Sequence, residues 1–333
     1  MDWKLPIRIL LLPFSWIYWL VVRCRTLFYA TGIISQKQLN GAVVSVGNLT
    51  VGGTGKTPMV MWLAEKFLRD GKRVAILSRG YRGSAGSSDE IRLLKRRLGE
   101  RVRFGVGPDR YAEGQRLEAQ APVDIFLLDD GFQHLKLARD VDIVMLDGSR
   151  RLKDEWVLPA GRLREPIAAC GRADLLVVTR NFEPSPMNAN DSHGRQPFYA
   201  QTKLLGFREL GEAGAPPLLS EIGPGPFFGF CGIGNPRAYF DDLNRWSVGV
   251  AGTQEFRDHH RYSQSDADEL ESLAERAGAG ALITTEKDEQ NLSGVKFCKL
   301  TVYVAVIDFA VSREGEFVTA LDQILGERRG TTA

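Results

Sequence analysis

A glycine-rich segment between an apolar run and a helical pattern constrains the fold of this chain most strongly. It reads GNLTVGGTGKTP over residues 47–58, after the β-branched run AVVSV and before apolar residues at helical spacing. A strand, a glycine-rich turn and a helix opening at Lys-Thr form the arrangement that holds nucleotide phosphates, because backbone N–H groups and the helix N-terminus face the anion. The sequence therefore predicts a phosphate-binding loop and an α/β domain around it.

The predicted loop residues carry distinct roles in nucleotide binding. They are Thr50, Val51, Gly52, Gly53, Thr54, Gly55, Lys56 and Thr57. Lys56 is expected to reach the β- and γ-phosphates of ATP, and the Thr57 hydroxyl to hold Mg²⁺. Thr50 stands where the strict pattern G-x-x-x-x-G-K-[ST] has its first glycine. The alternative is a flexible Gly/Thr turn that precedes a helix.

Apolar strands alternate with helical patterns along most of the chain, which is typical of βα units and a parallel sheet. The predicted strands of the first part are 73–78, 102–106, 125–128, 143–146 and 175–178, with helices at 89–98 and 109–119. A polar segment at 182–196 is predicted to be a linker. Beyond it, strands are predicted at 227–231, 281–284 and 300–306, with a helix after Asn235-Pro236, one with a Ser265–Asp268 capping box and a last one at 314–325.

The predicted fold is therefore α/β, with a P-loop NTPase-type, mostly parallel sheet flanked by helices. A second, smaller α/β lobe and an N-terminal apolar membrane-associated helix complete it. The predicted division is 1–28 for that helix, 29–195 for the P-loop domain and 196–333 for the lobe, with a cleft that closes on substrate.

Composition excludes several other classes of protein. The 333 residues carry a net charge of only +2, and no zinc finger, basic helix or aromatic RNA motif occurs, so no nucleic acid is expected as a partner. The four cysteines are scattered, which favours reduced thiols over a disulfide framework or a zinc site.

The N-terminal segment 5–22 is apolar and ends in aromatic and basic residues. It reads LPIRILLLPFSWIYWLVV, followed by Arg23 and Arg25. Trp and Tyr prefer the headgroup level of a bilayer and Lys/Arg the anionic lipid, so the segment predicts a helix in the membrane interface. It is short for a spanning helix and contains Arg8 and two prolines. A signal peptide and an apolar helix packed on the protein's own core are the alternatives.

A second acidic element follows a buried strand, as Mg²⁺ binding beside a phosphate loop requires. The run IFLLDD places Asp129 and Asp130 at the carboxyl end of a predicted strand, where function concentrates in open α/β sheets. Gln133 and His134 follow directly. The alternative is that Asp-Asp-Gly only makes a tight turn.

Phosphoryl transfer to a hydroxyl also needs a proton acceptor and cations. Asp89 at a helix start and the cluster Asp258-His259-His260 are the candidate bases, and residue spacing does not choose between them. Guanidinium groups suited to phosphate lie near glycine-rich turns, at Arg79, Arg82, Arg162 and Arg164.

Several unusual strings in register resemble the tetraacyldisaccharide 4′-kinase family of lipid A biosynthesis. They are the loop segment itself, SRGY at 78–81, LLDDGFQH at 127–134, LPAG at 158–161, REP at 164–166, GIGNP at 232–236, FRDHH at 256–260 and TTEKD at 284–288. That family also carries Thr at the position of Thr50.

The resemblance implies ATP- and Mg²⁺-dependent phosphorylation of the 4′-hydroxyl of an acylated glucosamine disaccharide 1-phosphate, giving lipid IVA. The substrate lipid places the enzyme at the cytoplasmic face of the bacterial inner membrane. By motif, Lys56 contacts phosphates, and Thr57, Asp129, Asp130 and Gln133 form the metal site. Asp89 is implied to be the catalytic carboxylate, paired with His259 from the second lobe.

Two positions depart from the family pattern, and two other functions compete with it. Ser88-Asp89-Glu90-Ile91 stands where Gly-Asp-Glu-Pro is usual, and Arg162 replaces a proline. A nucleotide-switched membrane ATPase would share the loop, but Val51 occupies the position of its signature lysine. A kinase of small soluble metabolites would explain the loop and leave segment 5–22 without a role.

Overall fold

The computed structural model describes residues 4–80, 89–149, 152, 155–180, 196–212 and 225–330. Arg82, and the predicted linker except for Gln196, lie outside these residues. The chain forms two compact units. The first comprises Met1–Gly86, Arg97–Gln201 and Ala310–Ala333, and the second comprises Ser87–Arg96 and Thr202–Phe309.

The two units differ from the predicted division in the placement of two segments. The C-terminal segment Ala310–Ala333 groups with the first unit, whereas the sequence placed residues 196–333 in the smaller lobe. The helix that opens at Asp89 groups with the second unit, whereas the sequence placed residues 29–195 in one domain. The boundaries at 28/29 and 195/196 stay predictions.

The first unit is built around a parallel sheet that confirms the predicted fold class. Its elements are α1 (Lys4–Ala30), β1 (Ala42–Asn48), α2 (Lys56–Arg69), β2 (Val74–Ser78), β3 (Val102–Val106), α4 (Arg110–Gln120), β4 (Ile125–Asp129), β5 (Val141–Asp147), β6 (Leu175–Thr179), the start of β7 (Phe198–Glu209) and α8 (Glu314–Gly330). The strand order is β3-β2-β4-β1-β5-β6-β7. The strands β2, β4, β5 and β6 are buried along their whole length, as parallel strands covered on both faces should be.

Pairing of β1 with β4 positions the site. The two strands run parallel with Val46 opposite Asp129, so the segment after β1 and the acidic pair after β4 emerge at the same edge of the sheet. Gly47 is required here, because a Cβ at this position would lie 2.4 Å from the Cβ of Phe132. The phosphate loop and the Asp129–Asp130 pair are therefore neighbours, as the sequence predicted.

The second unit carries another, smaller set of parallel strands. Its elements are α3 (Asp89–Leu98), the rest of β7, β8 (Phe227–Cys231), α5 (Pro236–Arg245), β9 (Val250–Glu255), α6 (Gln264–Arg276), β10 (Ala281–Thr285), the short α7 (Glu286–Glu289) and β11 (Val302–Val311), whose last two residues belong to the first unit. The strand order is β7-β11-β10-β8-β9, and β8 lies parallel to β9 and β10.

Helix starts in the second unit test the local predictions. Asn235 caps α5 by accepting from the Ala238 N–H at 3.4 Å, and Pro236 begins the helix, as predicted. The capping box of α6 is formed by Ser263 and Asp266, so the prediction of Ser265 and Asp268 was wrong by two residues. Both pairs have the same spacing, and only the backbone path selects the one whose side chains meet the first N–H groups.

Helix α1 is longer than the predicted apolar segment, with 27 residues. The helix segment Arg8–Ala30 is long and apolar enough to cross a membrane, with a mean hydropathy of 1.3. Core helices of soluble proteins and signal sequences can have the same length and composition. Only 6% of its most apolar 18 residues are buried, yet Tyr18 and Trp19 pack against a core cluster of the first unit. The helix therefore contacts the protein's own core along one face and leaves most of its apolar surface exposed, so the membrane-interface and core-helix interpretations are compatible. Large apolar side chains that are exposed on it are Ile9, Leu10, Phe14, Trp16, Ile17, Leu20, Val21, Leu27 and Phe28.

Candidate active site

The phosphate-loop segment leads into a helix whose start is a left-handed glycine. Gly55 precedes α2 with φ 82°, a left-handed conformation that favours glycine. Within the described part of the chain, no side chain caps this helix start. The first N–H groups of a helix need an acceptor, and the positive end of the helix dipole favours an anion. Lys56 and Thr57 therefore begin a helix whose N-terminus is suited to a phosphate.

Carbonyl groups of the loop point toward neighbouring side chains. Four donors hold them: Arg162 on the Val51 carbonyl at 2.9 Å, Asn48 on Gly52 at 3.4 Å, Arg180 on Gly53 at 2.9 Å and Thr179 on Thr54 at 3.3 Å. Carbonyls engaged in this way are not available to repel an anion. The arrangement favours a phosphate in the loop.

Two buried polar atoms beside the loop also fit a nucleotide. Thr54 is 3% exposed, and neither its Oγ1 nor the Asn48 Oδ1 has a hydrogen-bond partner among the described residues. Buried polar atoms usually have partners in proteins, so such orphans point to a ligand or ordered water. The Thr57 side chain is likewise buried at the start of α2.

Asp130 joins the loop to two cations. It follows the buried Asp129, at the end of β4, in a left-handed conformation with φ 53°. Its Oδ1 lies 3.4 Å from Lys56 Nζ, and Arg164 donates to both carboxylate oxygens, at 2.7 and 2.9 Å. Burial by itself would raise the pKa of Asp130, but the Lys56 and Arg164 charges outweigh it and lower that pKa. The group is an anion at neutral pH.

Gln133 is tied into the same network through its amide nitrogen. Its Nε2 donates to the Asn48 carbonyl at 3.0 Å and to Glu165 Oε1 at 3.1 Å, and its Oε1 faces Arg164 at 3.5 Å. No group of three or more His, Cys, Asp or Glu side chains that could hold a metal occurs in the described ranges. A Mg²⁺ here would need phosphate and water oxygens as its remaining ligands, which is its usual preference.

Arg110 is a cation near the acidic pair that the sequence analysis did not point out. Arg110 is 7% exposed, and its Nε has no partner in the described part of the chain. Burial and the charge of Arg79 lower the pKa of Arg110, which the carboxylates of Asp129 and Asp130 partly offset. The string GPDR at 107–110, shortly before the acidic strand, was the signal that could have pointed to it.

His134 lies near Arg110 and stays neutral. Burial and the Arg110 charge lower the pKa of His134 to about 4, and its Nε2 has no partner within the described ranges. A neutral imidazole and a buried guanidinium with unused hydrogen-bonding capacity are suited to binding an anionic group.

The two candidate bases both belong to the second unit. Asp89 begins α3, and its side chain lies outside the described part. His259 is in a left-handed conformation with φ 61°, and its half-exposed ring lies 3.9 Å from Asp258 Oδ1. The sequence expected these two residues to come from different lobes. In the structure, Asp89 and His259 both belong to the second unit.

His260 has a structural role instead. Its Nε2 lies 3.2 Å from Asp266 Oδ2, and its ring stacks on Phe256 at 4.7 Å between centroids. It therefore braces the start of α6.

A buried carboxylate holds the backbone that carries His259. Asp288 Oδ1 accepts from the Gly232 N–H at 2.7 Å and from the Tyr262 hydroxyl at 2.8 Å, and Oδ2 accepts from Thr285 at 2.5 Å. The Gly232 carbonyl in turn accepts from the His259 N–H at 3.0 Å. Burial raises the pKa of Asp288, while its three donors act in the opposite direction. The TTEKD string thus orders the loop that bears His259.

We expect Asp288→Ala to lower the free energy of unfolding by about 3 kcal/mol, because three donors, two of them in buried hydrogen bonds, lose their acceptor. Urea unfolding of the full chain measures this. Glu269→Ala, an exposed substitution on α6, is the control and should stay within about 0.5 kcal/mol of the wild type. Equal stabilities for the two variants would contradict the bracing role.

The fold and the site together define the class of protein: a P-loop nucleotide-binding phosphotransferase on a parallel α/β sheet. The family model LpxK, tetraacyldisaccharide-1-P 4′-kinase, matches residues 7–326. The chain belongs to this family, and its function is that of the family, a kinase of lipid A biosynthesis.

Individual relatives agree over nearly the whole length. A tetraacyldisaccharide 4′-kinase from Geobacter metallireducens is 39% identical over 92% of this chain and 95% of its own. A tetraacyldisaccharide 4′-kinase from Pelobacter propionicus is 34% identical over 95% of this chain and 92% of its own. Among solved structures, LpxK from Aquifex aeolicus in complex with ATP matches with a TM-score of 0.76 and 31% identity, covering 96% of this chain and 99% of that one. This likeness supports ATP as the nucleotide bound here.

Proposed function

We propose that the chain transfers the γ-phosphate of ATP to the 4′-hydroxyl of tetraacyldisaccharide 1-phosphate, with Mg²⁺, at a membrane surface. The observation that carries this is the charge network at the end of β1 and β4. Lys56 and Arg164 converge on Asp130 beside a helix N-terminus that no described side chain caps. The names of the relatives supply the acceptor.

The magnesium ion would be held by Thr57, Asp129 and Asp130, with Gln133 beside them. Bound there, it would neutralise charge on the β- and γ-phosphates. Asp130 already sits between two cations, and Asp129 is buried next to it. Oxygen donors of this kind are what Mg²⁺ prefers.

Lys56 and Arg164 would stabilise the transferring phosphoryl group. Its transition state spreads negative charge over three oxygens, and positioned cations act most strongly where water is excluded. Asp130 holds both side chains in place before the nucleotide binds. The Arg79, Arg110 and His134 cluster would bind a further anionic group of a substrate.

Asp89 would accept the proton of the acceptor hydroxyl, with His259 supporting that carboxylate. As the hydroxyl oxygen bonds to the γ-phosphorus, its proton passes to the base, and the bond from that phosphorus to the β–γ bridging oxygen breaks to release ADP. The motif positions and the role of Asp288 in ordering the His259 loop support this assignment.

Helix α1 would bind the cytoplasmic face of the inner membrane, where the lipid substrate is reached. The support is its exposed apolar side chains, with Trp16 at 63% and Leu10 at 73% exposure. Apolar surface of this extent in an aromatic-rich helix is typical of insertion into a bilayer interface.

Transfer of label from γ-labelled ATP to tetraacyldisaccharide 1-phosphate in detergent micelles tests the proposal. A Mg²⁺-dependent labelled lipid, resolved by thin-layer chromatography, is the expected result. ATP hydrolysis that liposomes stimulate, without labelled lipid, would overturn it in favour of a membrane-switch ATPase. Label in a soluble metabolite alone would favour a kinase of small soluble metabolites.

Arg164→Lys should lower kcat by about tenfold to a hundredfold in this assay. Arg164 Nη1 contacts both oxygens of Asp130. The shorter lysine side chain carries a compact ammonium, which would not place its charge where the delocalised guanidinium places it. The control is Arg103→Lys on β3, where the guanidinium donates to backbone carbonyls at the end of α4 and just beyond it. Equal activity of the two variants would remove Arg164 from the site.

A further inference from the structure

One stretch of chain joins helix α1 to the phosphate loop. It comprises residues 156–166, here named the bridging loop, and it pairs with the loop through backbone hydrogen bonds. Val51 N–H donates to the Arg162 carbonyl at 2.9 Å, and Arg164 N–H donates to the Leu49 carbonyl at 2.6 Å. The position of the bridging loop therefore sets the position of residues 49–51 and of the Arg164 side chain.

Helix α1 binds the other side of the bridging loop. Ser15 donates to the Val157 carbonyl at 3.0 Å and accepts from the Ala160 N–H at 2.9 Å. The Tyr18 hydroxyl donates to the Arg164 carbonyl at 2.9 Å. All of these contacts lie within the first unit.

Four polar residues of α1, namely Arg8, Ser15, Tyr18 and Arg25, lie on one face and donate to backbone carbonyls outside the helix. Arg8 donates to the Ala160 carbonyl at 2.9 Å, and Arg25 to the Gln133 carbonyl at 3.1 Å. At about 100° per residue these four side chains fall within an arc of about 100°. Ser15 is 1% exposed, whereas its neighbours Phe14 and Trp16 are 59% and 63% exposed.

Membrane anchoring does not account for this polar face. An interfacial anchor needs its apolar side chains and its basic ends, and the exposed residues of α1 supply them. The polar face instead contacts the backbone of two segments that meet at Asp130: the bridging loop and the segment that holds Gln133.

We propose that Ser15 and Tyr18 are positioning residues that fix Arg164 and the phosphate loop through the bridging loop. Seating of α1 then contributes to nucleotide turnover separately from anchoring the protein to the membrane. This inference rests on the role of Arg164 in the proposed function. Misplacement of a catalytic cation by about 1 Å can cost about a hundredfold in rate, so a lost hydroxyl contact is sufficient to matter.

Tyr18→Phe tests the proposal because it removes only the hydroxyl. We expect kcat for label transfer to fall about tenfold, and the variant to float with phosphatidylglycerol-containing vesicles as the wild type does. Tyr29→Phe is the matched control, since it makes the same change on the same helix at a residue without a described side-chain hydrogen bond, and it should change neither quantity. Trp16→Ala should weaken flotation, and in micelles it should keep kcat.

A double-mutant cycle separates positioning from general loss of structure. If Tyr18 acts through Arg164, Tyr18→Phe should cause no further decrease of kcat in an Arg164→Ala background, because coupled residues are not additive. A full tenfold decrease in both backgrounds, or a loss of kcat that parallels loss of flotation, would overturn the proposal. Unchanged kcat in Tyr18→Phe would overturn it as well.

Measuring nucleotide binding separates a failure of this inference from a failure of the proposed function. The affinity for a fluorescent ATP analogue is measured without any acceptor lipid, and Ser15→Ala should weaken it about threefold through the loop backbone. If the wild type transfers no phosphate to lipid, the proposed acceptor is wrong, while this affinity still reports on the bridging loop. If Ser15→Ala is folded, as judged by circular dichroism, and still binds the ATP analogue with wild-type affinity, the positioning role is contradicted.

Discussion

Replacing Lys56 with alanine is expected to lower kcat for phosphoryl transfer by about a thousandfold. Lys56 begins α2, whose N-terminus no described side chain caps, and its Nζ lies 3.4 Å from Asp130 Oδ1. Removal takes away a cation that would contact the β- and γ-phosphates, and leaves Asp130 with one cationic partner fewer to offset its charge against them. The measurement is label transfer from γ-labelled ATP at saturating Mg²⁺.

Lys72→Ala is the control for Lys56, because it removes an exposed lysine from the turn after the same helix. That variant should retain wild-type kcat. If Lys56→Ala keeps more than a few per cent of the wild-type rate while remaining folded, residues 50–57 do not hold the transferred phosphate.

Asp89→Ala and His259→Ala should each lower kcat by about a hundredfold to ten-thousandfold and change the KM for ATP little. General-base groups act on the proton in the transition state, so their removal affects turnover more than binding of the nucleotide. Steady-state kinetics with varied ATP and saturating lipid separates these two quantities. A combined variant should lose little more than the worse single one, because the two residues would act as a unit.

His260→Gln provides the comparison for His259. Its imidazole pairs with Asp266 and stacks on Phe256, so its loss should reduce stability and leave kcat nearly unchanged. Wild-type turnover in both Asp89→Ala and His259→Ala would show that another group accepts the proton.

The parts of the fold that the sequence predicted correctly are those with strong local signals. The buried β-branched strands around the phosphate loop, the start of α5 at Asn235 and Pro236, and the strand ending at Asp129 all lie where the pattern placed them. Runs of buried apolar residues and capping residues act over a few positions, so a local pattern is enough to locate them.

Two strands escaped prediction because their patterns are not strand-like. Strand β9 has the sequence VAGTQE and lies at the edge of its sheet, and β7 mixes polar and apolar residues over 12 positions. Edge and partly exposed strands are stabilised by pairing with a neighbour rather than by a continuous apolar run. Neither the neighbour nor its register can be read from the segment itself.

The chemistry of the phosphate loop follows from the sequence alone, since glycines, Lys56 and Thr57 act within one turn of chain. The partners of that loop depended on the tertiary structure. Arg164 reaches Asp130 across 34 positions, Gln133 reaches the Asn48 carbonyl across 85, and Tyr18 reaches the Arg164 carbonyl across 146. Contacts of this kind form when the tertiary fold brings distant segments to one edge of the sheet. Residue spacing does not show which segments will meet there.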